Sequence, residues 1–178
     1  MENLYTPNCI RTFTGIYVNI FEPTEDMFCI EDIAHALAHQ CRFGGHLPRF
    51  YSVAQHSVES MRHVPNSMAY DMLMHDASEA YLLDLPKPIK LNMPQYNEIE
   101  DYMMAVLAKK FCFTYPMTKV MHAADKKQLE IEWNGIMLNK NPEHTCLDSK
   151  AAKDLFLNLY KSLTRIPLSP EFVFPNPL

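Results

Sequence analysis

The sequence predicts an all-α domain of about six helices, with a possible short β-hairpin near the N-terminus. Apolar residues recur every three or four positions through most of the chain, and prolines stand between these periodic segments. Glycine is scarce, with 4 residues among 178, which argues against a β-sandwich or a glycine-rich nucleotide loop. The length fits one domain, 1–178, whose core we place at about 30–140 and whose end, 165–178, we expect to be an extended tail.

Apolar spacing and capping residues define the predicted elements of the first half. Alternating residues around Gly15 suggest the hairpin. Ser52 is a suitable cap for the second helix, and Asn66 or Ser67 for the third. The predicted spans are a hairpin over 11–21 and helices over about 30–41, 53–63 and 67–82.

Prolines set the boundaries of the second half. The segment 84–94 contains three prolines, so we expect it not to be helix interior. Pro94 suits the first turn of a fourth helix, and Pro116 begins a fifth that runs to about Leu138. Asp148 caps a sixth helix with apolar residues in register.

The composition narrows the class of protein. Apolar residues make up 48% and charged residues 21%, as in ordinary globular domains. The formal net charge of −5 argues against a nucleic-acid surface, because phosphate backbones bind basic patches. It leaves room for a phosphorylated small molecule held by a metal ion and a few cations.

Three further features predict a cytoplasmic protein. The N-terminus lacks the charged and apolar regions of a signal peptide. No window approaches 18 uncharged apolar residues, so no membrane span is expected. The five cysteines are odd in number and form no C-x-x-C pair, which is typical of free thiols in a reducing compartment.

An acidic cluster lies in the segment "MLMHDASEAYLLDLPKPIK", residues 72–90. On a helix His75 and Glu79 share one face, with Asp76 beside them, and Asp84 follows at the helix exit. Carboxylates this close in apolar surroundings repel one another and take up protons. Either this face is hydrated, or a divalent cation lies there.

Other histidines and aspartates have to be weighed against ordinary packing. Taken alone, His56 reads as a partly buried core histidine and Asp125 as a surface aspartate. His35 and His39 are four residues apart but have no acidic partner nearby, so we expect them to pack rather than to bind metal. His122 lies one turn before Asp125, where packing is the commoner role.

The order His56, His75-Asp76, Asp125 resembles the H…HD…D signature of the HD superfamily of metal-dependent phosphohydrolases. The stretch "HDASEAYLLDLPKPIK" is similar to the bacterial 5′-deoxynucleotidases of that superfamily, down to the closing L-P-x-P-x-K. The stretch "DIAHALAHQCRFGGHLPRFYSVAQHSV", residues 32–58, resembles the segment that precedes it in small prophage-borne members. The resemblance covers roughly 11–135.

The resemblance implies a role for each matching residue. The metal ligands would be His56, His75, Asp76 and Asp125, holding one divalent transition metal ion: Mn²⁺, Co²⁺, Fe²⁺, Ni²⁺ or Zn²⁺. Glu79 would be the general acid or base, and Asp84 would orient or deprotonate the attacking water. The substrate contacts would be Arg42 at the phosphate, Phe43 near the base or sugar, and His46 and Lys90 at the phosphate.

The expected substrate is a deoxynucleoside 5′-phosphate, hydrolysed to nucleoside and phosphate. A deoxynucleoside triphosphate triphosphohydrolase and a catalytically silent nucleotide-binding regulator remain open alternatives. A two-metal enzyme would need more histidines between 77 and 124, where only His122 occurs. We further expect a homo-oligomer of two or more chains, with no nucleic-acid partner and no membrane partner.

Overall fold

A computed structural model describes residues 7–165. Its N-terminal part confirms the hairpin, formed by antiparallel strands β1 (Cys9–Arg11) and β2 (Tyr17–Asn19). Gly15 has a φ of +94° in the connecting turn, a conformation that glycine adopts without strain. The Thr14 amide and hydroxyl each donate to the Asp32 carboxylate at 2.7 Å, so the turn is fixed to the first helix.

The described chain is mainly helical, which confirms the all-α prediction. Ser52 accepts the Gln55 amide at 3.2 Å and Asp148 accepts the Ala151 amide at 2.7 Å, as helix N-caps do. The α-helices are α1 (Ile30–His39), α2 (Val53–Ser60), α3 (Ala69–Leu73), α4 (Glu79–Leu82), α5 (Lys87–Lys90), α6 (Pro94–Phe111), α7 (Lys119–Glu132) and α8 (Ser149–Arg165), and α7 continues into a π-helix (Trp133–Met137).

The predicted third helix is interrupted. Between α3 and α4, residues 74–78 form a turn that carries His75 and Asp76, so the expectation of one continuous helix there is wrong. Backbone bonds in this segment span three residues, as from the Glu79 amide to the Asp76 carbonyl at 3.0 Å. One cause is local: the Met72 carbonyl, which a continuous helix would offer to Asp76, binds the His75 ring at 2.7 Å.

Two proline-based boundaries also differ from expectation. The segment 84–94 contains the one-turn helix α5, where Pro86 is the N-cap and Pro88 lies in the first turn. Proline is tolerated there because first-turn amides have no intrahelical partner. Helix α7 begins after Thr118, whose hydroxyl accepts the Met121 amide at 3.3 Å, rather than at Pro116.

The core forms where α1, α2, α3 and α8 pack together, with α4 against α1 and α7 against α2. It extends beyond 140, because Phe156, Leu159 and Leu163 of α8 are buried in it. Burying side chains of this size contributes roughly 1.5–3 kcal/mol each. Helix α8 thus packs against α1, α2 and α3 and completes the core.

No helix between residues 7 and 165 combines the length and the apolar run needed to cross a bilayer. The predicted extended tail falls outside the described residues, except for Arg165, which ends α8.

Candidate metal centre

Three separate elements bring together His56 from α2, His75 from the 74–78 turn and Asp125 from α7. One ligand atom from each lies within 4.8 Å of the others. Asp76 adds a carboxylate whose Oδ2 is 3.6 Å from His56 Nε2 and 3.3 Å from His75 Nε2. All four residues predicted as metal ligands therefore meet at one place.

The two imidazoles are oriented by their Nδ1 atoms. His56 Nδ1 lies 2.6 Å from Glu132 Oε1, and His75 Nδ1 lies 2.7 Å from the Met72 carbonyl. Bonds of this kind place the proton on Nδ1 and leave Nε2 as the ligand atom, as in carboxylate–histidine–metal arrangements.

The Nε2 atoms provide a test of whether the site fits a metal ion. Both are buried and neither has a hydrogen-bond partner among the described residues. Asp125 Oδ1 lies 3.1 Å from His56 Nε2 and 3.9 Å from His75 Nε2. Buried polar atoms normally find a partner, so two that converge beside carboxylates fit an ion between them. His56, His75 and Asp125 can thus hold a metal ion.

The charges around His56 point the same way. Burial and Arg42 lower the pKa of His56, but Glu132 and Asp125 outweigh them and raise it to about 10. Burial raises the pKa of Glu132, while His56 and Arg42 lower it to about 2. The carboxylates around His56 therefore favour a positive charge there, which either a proton or a metal ion supplies.

Glu79 begins α4 and is buried, and its Oε2 has no hydrogen-bond partner among the described residues. Burial, then Asp76 and Asp84, raise the pKa of Glu79 well above its ordinary value. Burial also raises the pKa of Asp84, but there Arg42 is the largest opposing influence. Of the two carboxyls, Glu79 is the one that more readily holds a proton.

Gln40, at the C-terminus of α1, fixes both acids through the backbone. Its Nε2 donates to the Glu79 carbonyl at 2.7 Å, and its Oε1 accepts the Asp84 amide at 3.2 Å. Leu83, between them, has a φ of +71°, which turns the chain sharply after α4. The local sequence gave no sign of this role for Gln40.

Arg42, predicted at the phosphate, is nearly buried and bridges two carboxylates. Its Nη1 is 3.0 Å from Asp84 Oδ2 and its Nε is 3.3 Å from Glu132 Oε2. Burial lowers the pKa of Arg42, but Glu132, Asp84 and other acids raise it overall, so the guanidinium stays charged. Arg42 thus links Glu132, which contacts His56, to Asp84.

Of the remaining predicted substrate contacts, Lys90 and Phe43 each contact a residue of this centre, and the hydrogen bond described for His46 is to Phe43. Lys90 Nζ is 3.5 Å from Glu79 Oε1 and 2.7 Å from Glu100 Oε1, so its positive charge lies between two carboxylates. The Phe43 ring lies against the Arg42 guanidinium, 5.6 Å from its Cζ to the ring centroid. His46 is exposed and three residues beyond Phe43, joined to it through the backbone.

Glu132 was not predicted from the sequence. Its carboxylate is fully buried and also accepts the Tyr51 hydroxyl at 3.1 Å. The Tyr51 hydroxyl oxygen in turn lies 2.9 Å from Glu59 Oε2 and accepts a hydrogen bond from Gln128 Nε2 at 3.1 Å. The available signal was spacing, because Glu132 follows Asp125 by two helical turns and shares its face of α7.

Two of the three histidines expected to pack lie against neighbouring rings. The His35 ring stacks on Phe13 at 3.8 Å and on His39 at 4.1 Å between centroids. Among the described residues neither belongs to a group of three or more potential ligands. His122 is exposed.

Comparison with known proteins identifies two bacterial proteins that are similar in sequence to this chain. No family model matches it. It is 36% identical over 165 residues to the uncharacterized protein YfdR of Escherichia coli (strain K12), across 93% of this chain and 89% of YfdR. It is 31% identical over 136 residues to an uncharacterized protein of Rhodobacter capsulatus, across 68% of this chain and 69% of that protein. The chain therefore belongs to the same family as YfdR.

Proposed function

We propose that this protein is a metal-dependent phosphohydrolase acting on deoxynucleoside 5′-phosphates, most simply a 5′-deoxynucleotidase. The observation that carries the proposal is the convergence beside Asp125 of His56 Nε2 and His75 Nε2, both buried and with no hydrogen-bond partner within residues 7–165. The chain order of these residues is the order that resembles the HD phosphohydrolase signature, which supports the same reading.

The ion would be held by His56, His75 and Asp125, with Asp76 as a fourth ligand. Two imidazoles and two carboxylates suit a divalent transition metal such as Mn²⁺, Co²⁺, Fe²⁺, Ni²⁺ or Zn²⁺. Such an ion supplies a Lewis acid for a phosphoryl oxygen and a lowered pKa for water. Glu132 and the Met72 carbonyl hold the two imidazoles in the required orientation.

Glu79 and Asp84 divide the proton transfers. Water attacks the phosphorus, the bond from phosphorus to the 5′-oxygen breaks, and that oxygen must gain a proton. Glu79, buried and with a raised pKa, is the donor to the leaving oxygen. Asp84, held by Arg42, accepts the proton of the attacking water. Paired acids in unlike environments commonly divide roles in this way.

The charges of the cations near the site favour a substrate with one phosphate group over one with three. Arg42 is shared between Asp84 and Glu132, and Lys90 between Glu79 and Glu100. Both are already balanced by carboxylates, which leaves little excess positive charge for a triphosphate. This supports the monophosphate over the triphosphate as substrate.

Product analysis tests the proposal. Purified protein with Mn²⁺ or Co²⁺ is incubated with paired dAMP and dATP, and then with the other deoxynucleotides, and the products are separated by chromatography. We expect nucleoside and inorganic phosphate from the monophosphate, and no turnover when EDTA is present. Release of triphosphate from dATP instead would identify a triphosphohydrolase.

A silent regulator is the outcome that would contradict the proposal. It would bind deoxynucleotides and metal but release no phosphate from any of them. The product analysis thus separates an enzyme from a binding protein.

A further inference from the structure

Trp133 is the single tryptophan of the chain and follows directly after Glu132, at the start of the π-helix. The residue is 46% exposed, so part of its ring is accessible to a ligand. We propose that Trp133, backed by Phe43, is the platform on which the base of the substrate stacks. This inference rests on the proposed function and adds the residue that binds the base.

The Trp133 ring lies next to a ring already joined to the metal centre. The Phe43 and Trp133 centroids are 6.0 Å apart with the planes inclined at 41°, so the two rings touch each other. Phe43 in turn lies on the Arg42 guanidinium. Asp84, Arg42, Phe43 and Trp133 therefore form a chain of successive contacts.

The position of Trp133 along α7 suits a bound nucleotide. Glu132 contacts His56 Nδ1 and Asp125 contacts His56 Nε2, so this stretch of α7 runs beside the candidate centre. At 1.5 Å per residue, Trp133 lies roughly 12 Å beyond Asp125 along the helix axis. This is comparable with the reach of a nucleotide from its phosphate to its base.

Phe43 has a backbone conformation that is uncommon for a residue other than glycine. Phe43 has a φ of +55° and ψ of +32°, in the left-handed region, and Gly44 and Gly45 follow with positive φ as well. A non-glycine residue in this region is strained, and such strain clusters at ligand sites. The π-helix that begins at Trp133 is a second feature often found at functional sites.

A base that stacks on the face of Trp133 needs no specific hydrogen bonds in order to bind. Every nucleobase has a π-face, so such a platform accepts all four bases with modest preferences. We therefore expect Trp133 to affect the binding of deoxynucleotides in general, not the choice among them.

A substrate that lacks a base separates this role from catalysis. We expect Trp133→Ala to raise KM for deoxynucleoside monophosphates by roughly 5- to 100-fold, with kcat little changed. Hydrolysis of 2-deoxyribose 5-phosphate, which has no base, should proceed as in the wild type. Trp133→Phe should restore most of the affinity, and Tyr102→Ala, which removes another exposed aromatic ring, is the matched control.

Fluorescence provides a readout that needs no turnover. Because Trp133 is the single tryptophan, its emission reports this site alone. We expect saturable quenching by deoxynucleosides, which carry a base but no phosphate, and none by 2-deoxyribose 5-phosphate. Phe43→Leu should weaken the quenching, and free N-acetyltryptophanamide corrects for light absorbed by the nucleoside.

The outcomes distinguish this inference from the proposed function. Phosphate release with an unchanged KM in Trp133→Ala and no quenching would overturn the platform and leave the enzyme intact. No phosphate release from any substrate would overturn the proposed function. Quenching by deoxynucleosides would then still support the platform, and its absence would overturn both.

Discussion

His56 Nδ1 lies 2.6 Å from Glu132 Oε1, and both side chains are fully buried. The carboxylate fixes the ring so that Nε2 faces His75 and Asp125. A buried carboxylate in this position raises the basicity of the imidazole and thus its strength as a ligand. Arg42, on the other oxygen of Glu132, compensates the remaining charge.

We therefore expect Glu132→Gln to weaken metal binding by about 10- to 100-fold, because the amide keeps the shape but loses the charge. Isothermal titration with Mn²⁺ or Co²⁺ measures the effect. Glu59→Gln is the control, since Glu59 shares Tyr51 and Gln128 with Glu132 but does not contact His56. Equal affinities for the two variants would contradict the orienting role.

His75→Ala should abolish metal binding and turnover, because it removes one of the two imidazole ligands. The wild type should bind one ion per chain, and at a metal concentration 100 times the Kd it should gain about 2.7 kcal/mol of stability. Calorimetry and thermal unfolding with and without EDTA measure both. His35→Ala, which removes a packed histidine elsewhere, should behave as the wild type. Two ions per chain at similar affinity would exclude a single-ion centre.

Glu79→Gln should retain the metal ion and lose roughly 10²- to 10⁴-fold in kcat, because the amide cannot donate a proton. Steady-state kinetics together with metal titration separate the two effects. Glu100→Gln is the matched control: it also removes an acidic partner of Lys90, but one on α6. A fully active Glu79→Gln would show that another group protonates the leaving oxygen.

Asp32 should make stability depend on pH in the acid range. Burial raises the pKa of Asp32, but hydrogen bonds led by the Thr14 hydroxyl outweigh it and lower the pKa overall. A lowered pKa in the folded state means stability that is present above the unfolded pKa, about 3.9, and lost as pH falls through the folded value. Hydrogen bonds to a carboxylate contribute roughly 1.5–3 kcal/mol.

Asp32→Asn should thus be less stable than the wild type by that order at pH 7, with the difference shrinking below about pH 4. Urea unfolding across a pH series measures it. Glu31→Gln, at an exposed neighbouring position, should change stability little. A difference that stays constant down to pH 3 would show that the charge of Asp32 is not the cause.

The sequence predicted the helices best where local signals were strong. Ser52, Pro94 and Asp148 each mark a helix start that the structure confirms, because capping depends on a few adjacent residues. The turn at 74–78 was missed, because it depends on the His75 ring binding a carbonyl, which no periodicity reveals. Element boundaries set by side-chain contacts need the tertiary structure.

The residues of the candidate centre were also predicted only in part. Its four ligands were predicted because their order along the chain resembles a known signature, and the structure brings them together. Glu132 and Gln40 were missed, since a glutamate late in a helix and a glutamine at a helix end are ordinary at the level of sequence. Their roles arise only when α7 and α1 pack beside α2 and α4.

The ligands on α2, the 74–78 turn and α7 are distant in sequence, so a bound ion would act as a cross-link between three parts of the chain. A cross-link that closes long loops removes conformations from the unfolded chain. The fold would then be held together both by α8, packed on α1, α2 and α3, and by the ion. Resistance to proteolysis between α2 and α7 would consequently follow metal supply.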